Sequence, residues 1–418
     1  MRIMIVCPGR FSLGELHNAM LLAGQLRRAG MSPLLVVAPQ NAAYASAAGV
    51  PVREFAPRLT RQDAQLAAIA EEFGPDGVIL ADHHLLTLEP APVTLDGLRA
   101  LGRPLAAVDS LALGAGAPGM TMEIARLPGA EAVRRWYAPR IDIPPLPEDV
   151  TPLRPVPVAP PSRTDGAFRL YDTPPVVDRD RALAVRAAHG VGEDGLLVVF
   201  PKSAWASTAF DYIAKATGSR CDHRGLFRAW LARILRRLDR PVTVVGVGRG
   251  PVASGPADDA VRFVNSAPLP LRDFTELLGA ADLFLTDNIT SCAMARATLL
   301  GTPAVALLHE GGTVPPQDPA DRAVLDAFEE HLPGVLFPYA VFPYGWRAEL
   351  APLLTGNPFL DAVARAPVYH AAAAAERIAE VLAASGRGRV PGRDELLASM
   401  THLPDGPQAV AAWLHTRR

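Results

Sequence analysis

The chain has 418 residues, 49% of them hydrophobic, with no low-complexity bulk, so it can bury two cores of ordinary size. A formal net charge of −2, with acidic and basic residues interspersed, supplies no global field for nucleic acid or an anionic membrane, and any phosphate must be held locally. Cys7, Cys221 and Cys292 are unpaired by spacing, lie in or beside apolar segments and form no zinc motif, which fits buried thiols in a reducing compartment.

The opening Met1 to Cys7 is too short for a signal-peptide core, and no apolar run approaches the roughly 20 residues of a membrane helix, so a cytoplasmic protein off the membrane is expected. Periodicity predicts a strand over Ile3–Cys7, a helix from Glu15 to Ala29 and a strand over Pro33–Ala38. Further strands are predicted near Val50, over Gly77–Leu80 and over Leu105–Val108, with a helix over 61–73 covering one face through Leu66, Ala67, Ile69 and Ala70. Such alternation implies a parallel, helix-covered sheet. Prolines then crowd residues 141–161 at a density incompatible with helix or central strand, and the segment reads as an interdomain linker.

A second alternation follows. Strands are predicted over Leu196–Phe200, Val242–Val247, Val261–Val264, Leu283–Thr286 and Ala304–Leu308, and helices over His223–Leu238, Leu271–Ala280 and the stretch ending at Leu300. Gly301 should stop that last helix. The tail carries helices near His370–Ala384 and Ala409–His415, and the aromatic, proline-punctuated run 337–346 reads as a loop that covers the sheet or walls a pocket. The expected organisation is α/β: an N-terminal domain over 1–145, a linker over 146–165, a second doubly wound domain over 166–368, and C-terminal helices over 369–418.

Ligands of open α/β sheets bind beyond the carboxyl ends of the strands. In the second domain those positions hold Lys202, Ser203 and Trp205, then Gly248 and Arg249, then Asn265 and Ser266, then Asp287, Asn288, Thr290 and Ser291. Backbone N–H groups and the helix dipole after Ser291 suit a diphosphate, with the two hydroxyls as further donors; the alternative is that these residues only cap the helix. Gly246-Val247-Gly248-Arg249-Gly250 lacks the dinucleotide spacing, which argues against NAD. In the first domain the corresponding turns hold Arg10, Ser12, Gly14, Glu15 and His17, then Asp82, His83 and His84, then Asp109 and Ser110. Glu15, His83 and His84 are the candidates for a general base. Each has a structural alternative, as a first-turn acid or a histidine bonded to backbone. Asp178-Arg179-Asp180 has the letters of a metal motif but reads as helix capping, and no metal is expected.

These residues resemble the GT-B class of nucleotide-sugar-dependent glycosyltransferases over nearly the whole chain. Met1–Gly30, with Gly14-Glu15-Leu16-His17-Asn18-Ala19 leading a helix, is similar to that class's first strand, glycine loop and helix. Pro75–Asp82 resembles a later strand of its first domain, and Ala281–Pro303 its donor-site strand, phosphate turn and helix ending in Gly-x-Pro. The resemblance implies two Rossmann-like domains facing across a cleft, with C-terminal helices crossing back to the first.

It further implies transfer of a sugar from a nucleoside diphosphate to a small-molecule acceptor, as in natural-product or antibiotic assembly, with inversion and without metal or other cofactor. Lys202, Ser203, Gly248, Arg249, Asn265, Asp287, Asn288, Thr290, Ser291 and Arg296 would take the nucleotide sugar; Arg10, Ser12, Gly14, His17, Asp82 and Asp109 would face the acceptor. Two positions depart from the class: Glu15 stands where a histidine is common after the loop glycine, and Arg296 where a ribose-binding Glu is common. A degenerate accessory protein that assists a partner transferase and a nucleotide-sugar epimerase are the other readings. The oligomeric state is left open between monomer and homodimer.

Overall fold

A computed structural model of the chain describes residues 1–10, 13–56, 61–88, 92–110, 119–123, 140–156, 165–171, 177–201, 222–248, 260–308, 315–331 and 354–416, together with Asp211, Lys215 and Gly218. The first sheet is built from β1 (Arg2–Cys7), β2 (Ser32–Val37), β3 (Val52–Glu54), β4 (Gly77–Leu80) and β5 (Leu105–Val108). A short antiparallel pair, β6 (Met120–Glu123) and β7 (Arg140–Ile143), leaves it before the chain returns as β8 (Thr151–Val156) and β9 (Ala167–Arg169). The strand order is β3-β2-β1-β4-β5-β8-β9, all parallel.

Helices cover both faces, so the central strands are apolar throughout. Ile3 and Ile5 of β1 face one core with α1 (Leu13–Arg28), whereas Met4 and Val6 face another with Leu66 and Ile69 of α2 (Asp63–Phe73).

The second sheet takes β10 (Leu196–Pro201), β11 (Val242–Val247), β12 (Val261–Ser266), β13 (Leu283–Thr286), β14 (Ala304–Leu308) and β15 (Ala364–Pro367) in the order β12-β11-β10-β13-β14-β15, again parallel. Its main helices are α3 (Arg179–Ala188), α4 (His223–Leu235), α5 (Leu271–Ala280), α6 (Cys292–Leu299), α7 (Pro319–His331) and α8 (Ala371–Gly386). Gly301 ends α6 as expected: at φ +92° its N–H reaches the Thr298 carbonyl at 3.1 Å, while the Thr302 N–H reaches Ala297 at 2.9 Å. Asp178 caps α3, accepting the Arg181 N–H at 2.8 Å.

The proline-rich segment is not a linker throughout, because β8 pairs with β5 on one side and β9 on the other. Leu153 uses its carbonyl toward Asp109 and Arg154 its N–H toward Gly166. Alternate residues of a strand point to opposite neighbours, so Pro152 faces the β9 side ahead of Ala167 and Pro155 faces the β5 side beyond Val108. The pairing with β9 begins after Pro152 and the pairing with β5 ends before Pro155, so neither ring nitrogen interrupts the ladder on its own side. The first domain therefore extends past residue 165 to β9, and the second begins near α3.

The tail is divided too. Helix α8 packs on β15 and α4 of the second domain, and α9 (Arg393–Met400) on α6. The last helix, α10 (Gly406–Thr416), returns to the first domain, where Trp413 and Leu414 close over Gly77 and the Arg169 N–H bonds the Pro404 carbonyl at 2.8 Å. No helix among the described residues is long and apolar enough to cross a membrane.

Candidate active site

Both sheets reverse direction beside their first strand, between β1 and β4 and between β10 and β13, and a doubly wound sheet binds its ligand at such a switch point. The turn after β4 brings Asp82, His83 and His84 to the first switch point. Asp82 is buried, with Oδ2 accepting the Ser110 hydroxyl at 2.9 Å and Oδ1 accepting the His84 N–H at 3.1 Å. The same Oδ1 contacts Nδ1 of the His84 ring. That contact sets the proton on Nδ1 and leaves Nε2 with the lone pair of the neutral ring.

Burial alone would depress the His84 pKa, but the Asp82 carboxylate, helped by Glu15 and Asp109, outweighs it and raises the value above 6.5. Glu15, in the first turn of α1, completes the group: Glu15, Asp82 and His84 each place one donor atom within 4.8 Å of the others. This donor set has the chemistry to hold a divalent cation; it also suits proton transfer, with a carboxylate-oriented imidazole as the base.

His83 is placed differently. Its ring is buried, with Nε2 within 2.9 Å of the Pro144 carbonyl and its backbone N–H on Val108, so it ties the β4 turn to the end of β7. Asp109 is paired with Arg154 at 3.0 Å, and both are buried. Arg154 also holds Asp165, by its carbonyl at 2.6 Å and its carboxylate at 2.5 Å. Arg10 is half-buried in the turn after β1, and a Cβ on Gly14 would lie 4.0 Å from Cys292 Sγ. Ser12 lies outside the described residues.

In the second domain, buried Asp287 directly follows β13, and the turn it enters is organised by Asn288. Asn288 Oδ1 accepts both the Thr290 N–H at 3.0 Å and the Thr290 hydroxyl at 2.8 Å, and its own N–H bonds Thr286 Oγ1 at 3.0 Å. Ser291 is the residue before α6, yet its side chain makes no capping bond. Gly248, at φ +129°, donates its N–H to Ser266, and Asn265 is exposed at the end of β12. Lys202, Ser203, Trp205, Arg249 and the aromatic run 337–346 lie outside the described residues.

The two halves meet at the N-terminal turns of α1 and α6. Electrostatic influence crosses this seam: burial first, then the Glu15 and Asp82 charges, push the Cys292 thiol up to about 11. His17 and Arg296, read from the sequence as acceptor and donor contacts, are both buried in the seam and bonded to each other at 2.8 Å. Burial, then the Arg296 charge, hold the His17 pKa down to about 3. Sequence reasoning missed Tyr44 and Thr275, which partner this pair; neither carries a sequence signal. The role of Asp82 toward His84 had one, an Asp-x-His just after a strand.

Two parallel Rossmann-like domains, joined at their switch-point ends and recrossed by the last helix, define the GT-B fold of glycosyltransferases. The spinosyn rhamnosyltransferase SpnG shares it at 16% identity over 99% of each chain, with a TM-score of 0.50. Anabaena HepE, solved in complex with UDP and glucose, does so at 13% identity over 100% of each chain, also at 0.50. A comparison with curated proteins finds no match. The chain belongs to DUF6365, described as a family of unknown function, which matches residues 22–417.

Proposed function

We propose that the protein is a glycosyltransferase that moves a sugar from a nucleoside-diphosphate sugar to a small-molecule acceptor of natural-product type, with inversion and without a metal ion. The observation that carries this reading is the Ser110, Asp82 and His84 array on one side of the seam, opposite the Asn288–Ser291 turn and the start of α6 on the other. His84 Nε2 takes the acceptor proton as the acceptor attacks the anomeric carbon, and Asp82 stabilises the imidazolium that forms. The bond from sugar to diphosphate breaks toward α6, whose first-turn N–H groups and dipole meet the developing charge. Base and leaving group then stand on opposite sides of the sugar, the arrangement that gives inversion.

Lys202, Ser203, Gly248, Arg249, Asn265 and Asp287 are the further donor residues in this reading; Arg10, Ser12 and Gly14 are assigned to the acceptor, and Asp109, buried against Arg154, acts on it only through its charge. One observation favours an accessory protein instead: Asn288 takes both donors of Thr290, and His17 and Thr275 engage Arg296.

Thermal shift against UDP, dTDP, GDP, ADP, CDP, NAD and NADP tests the donor site, and a transfer assay with the nucleotide that binds separates the two readings. A ligand at 100 times its Kd stabilises by about 2.7 kcal/mol, so one nucleoside diphosphate is expected to stand out. A folded protein that responds to none would overturn the donor assignment. Nucleotide binding without sugar transfer, restored by a partner, would favour the accessory reading.

A further inference from the structure

Within the seam between α1 and α6, the proposed chemistry leaves one buried cluster unused, that of His17, Arg296, Thr275 and Tyr44. Arg296 donates through Nη1 to His17 Nε2 at 2.8 Å and through Nη2 to Thr275 Oγ1. His17 Nδ1 lies 3.2 Å from the Tyr44 hydroxyl, and the ring stands edge-on to Phe274 with centroids 6.2 Å apart. Beside this pair Asn18 Nδ2 reaches Cys292 Sγ at 3.2 Å, and the Tyr171 hydroxyl donates to the Cys292 carbonyl at 3.2 Å.

A guanidinium is a rigid planar fork, so two acceptors on separate helices fix its orientation far more tightly than one contact would. Apolar contact supports the seam: one buried cluster runs without a break from Leu16, Ala19 and Met20 of α1 to Phe274 of α5 and Met294 and Ala295 of α6.

We infer that His17 and Arg296 form a latch that holds the two domains in closed register before any ligand binds. The placement of the pair gives this its functional weight. His17 follows Glu15 by two residues in α1, and Arg296 sits one turn into the helix that the Asn288–Ser291 turn opens. The latch therefore sets the separation between the His84 side and the diphosphate side, which makes both residues positioning residues. The kinetic part rests on the transferase reading; the domain register does not.

Among the described residues Arg296 has no carboxylate partner, and its acceptors are neutral. Opening the seam returns that charge to water, which offsets part of the lost bonding, so the latch is releasable by a single substitution.

Small-angle scattering of the full chain tests the register. Wild type should give the same profile with and without UDP or dTDP, Arg296→Met should give a larger radius of gyration, and His17→Gln, which keeps an acceptor for Arg296, should match wild type. An Arg296→Met profile superimposable on wild type, or a wild type that contracts on adding nucleotide, overturns the latch. Should Arg296→Met fail to fold, hydrogen exchange on wild type decides. Amides of 16–22 and 294–299 exchanging as slowly as those of β1 support the latch, and rapid exchange there overturns it. In turnover assays a population effect raises KM by the inverse of the closed fraction, about tenfold for a fraction of about one tenth, with kcat kept at saturation. A fall in kcat at unchanged KM would instead overturn the positioning role. If no transfer is detected in wild type, the transferase reading fails while scattering still decides the register.

Discussion

Acidification is expected to weaken the fold through His17. Burial, and after it the Arg296 charge, hold its pKa down to about 3 from an ordinary 6.5. Between those values the unfolded chain takes up a proton that the folded chain refuses, so stability rises with pH across that window. The contribution is complete above the unfolded value and is lost as pH falls toward the folded one. One pKa unit corresponds to about 1.4 kcal/mol, so the loss is about 2 kcal/mol by about pH 5 and about 5 kcal/mol across the window. His84 acts with the opposite sign: its raised pKa contributes stability below the unfolded value that is lost as pH rises through the folded one. A wild-type curve alone therefore mixes the two. Urea unfolding of wild type and His17→Gln at about pH 7.5 and about pH 5 isolates His17, because Gln keeps the acceptor and removes the titration. Wild type should lose about 2 kcal/mol more than the variant. Equal losses would refute a neutral His17 buried against Arg296.

His84→Gln should lower kcat by about 10²- to 10⁴-fold while leaving the nucleotide-induced melting shift intact. Asp82→Asn should move the acid limb of the rate profile to lower pH, since the carboxylate is what raises His84, and an unmoved limb would argue against His84 as the base. Adding EDTA should leave transfer unchanged, whereas a loss restored by a divalent cation would reassign Glu15, Asp82 and His84 as metal ligands. Arg154→Met leaves the buried Asp109 carboxylate without its counter-charge and should cost about 3–5 kcal/mol in denaturant unfolding. Gly77→Val places Cβ 2.7 Å from Trp413 and Leu414 and should cost about 1–3 kcal/mol, read as a lower Tm.

The apolar strands were legible because parallel strands buried on both faces read as continuous runs: Gly77–Leu80, Leu105–Val108, Val242–Val247, Leu283–Thr286 and Ala304–Leu308 lie where periodicity places them. Strand β8 was hidden by its prolines, which deny a central strand only where a neighbour needs the missing donor. Strand β15 was hidden by alternation over four residues, Ala364 and Ala366 inward and Arg365 and Pro367 outward, too short a pattern to stand out. At the site, post-strand positions located Asp82 and His84 but not their mutual contact. The sequence order could not show that His17 and Arg296, 279 residues apart, bond each other. Such a pair depends on how two finished domains dock, and no local pattern encodes that.

Because Asp405, Gly406, Trp413 and Leu414 pack against Arg169, Leu22, Gln25 and Gly77, the end of the chain is structurally a piece of its beginning. The modular unit is thus discontinuous. A chimera that exchanges the second domain between relatives needs two crossover points, one between Tyr171 and Arg179 and another between α9 and α10. A single junction would mate each parent's closing helix with a foreign groove. Recombination in this family is therefore expected to conserve the pairing of residues 1–171 with 401–416, so that second-domain variation travels as an internal cassette.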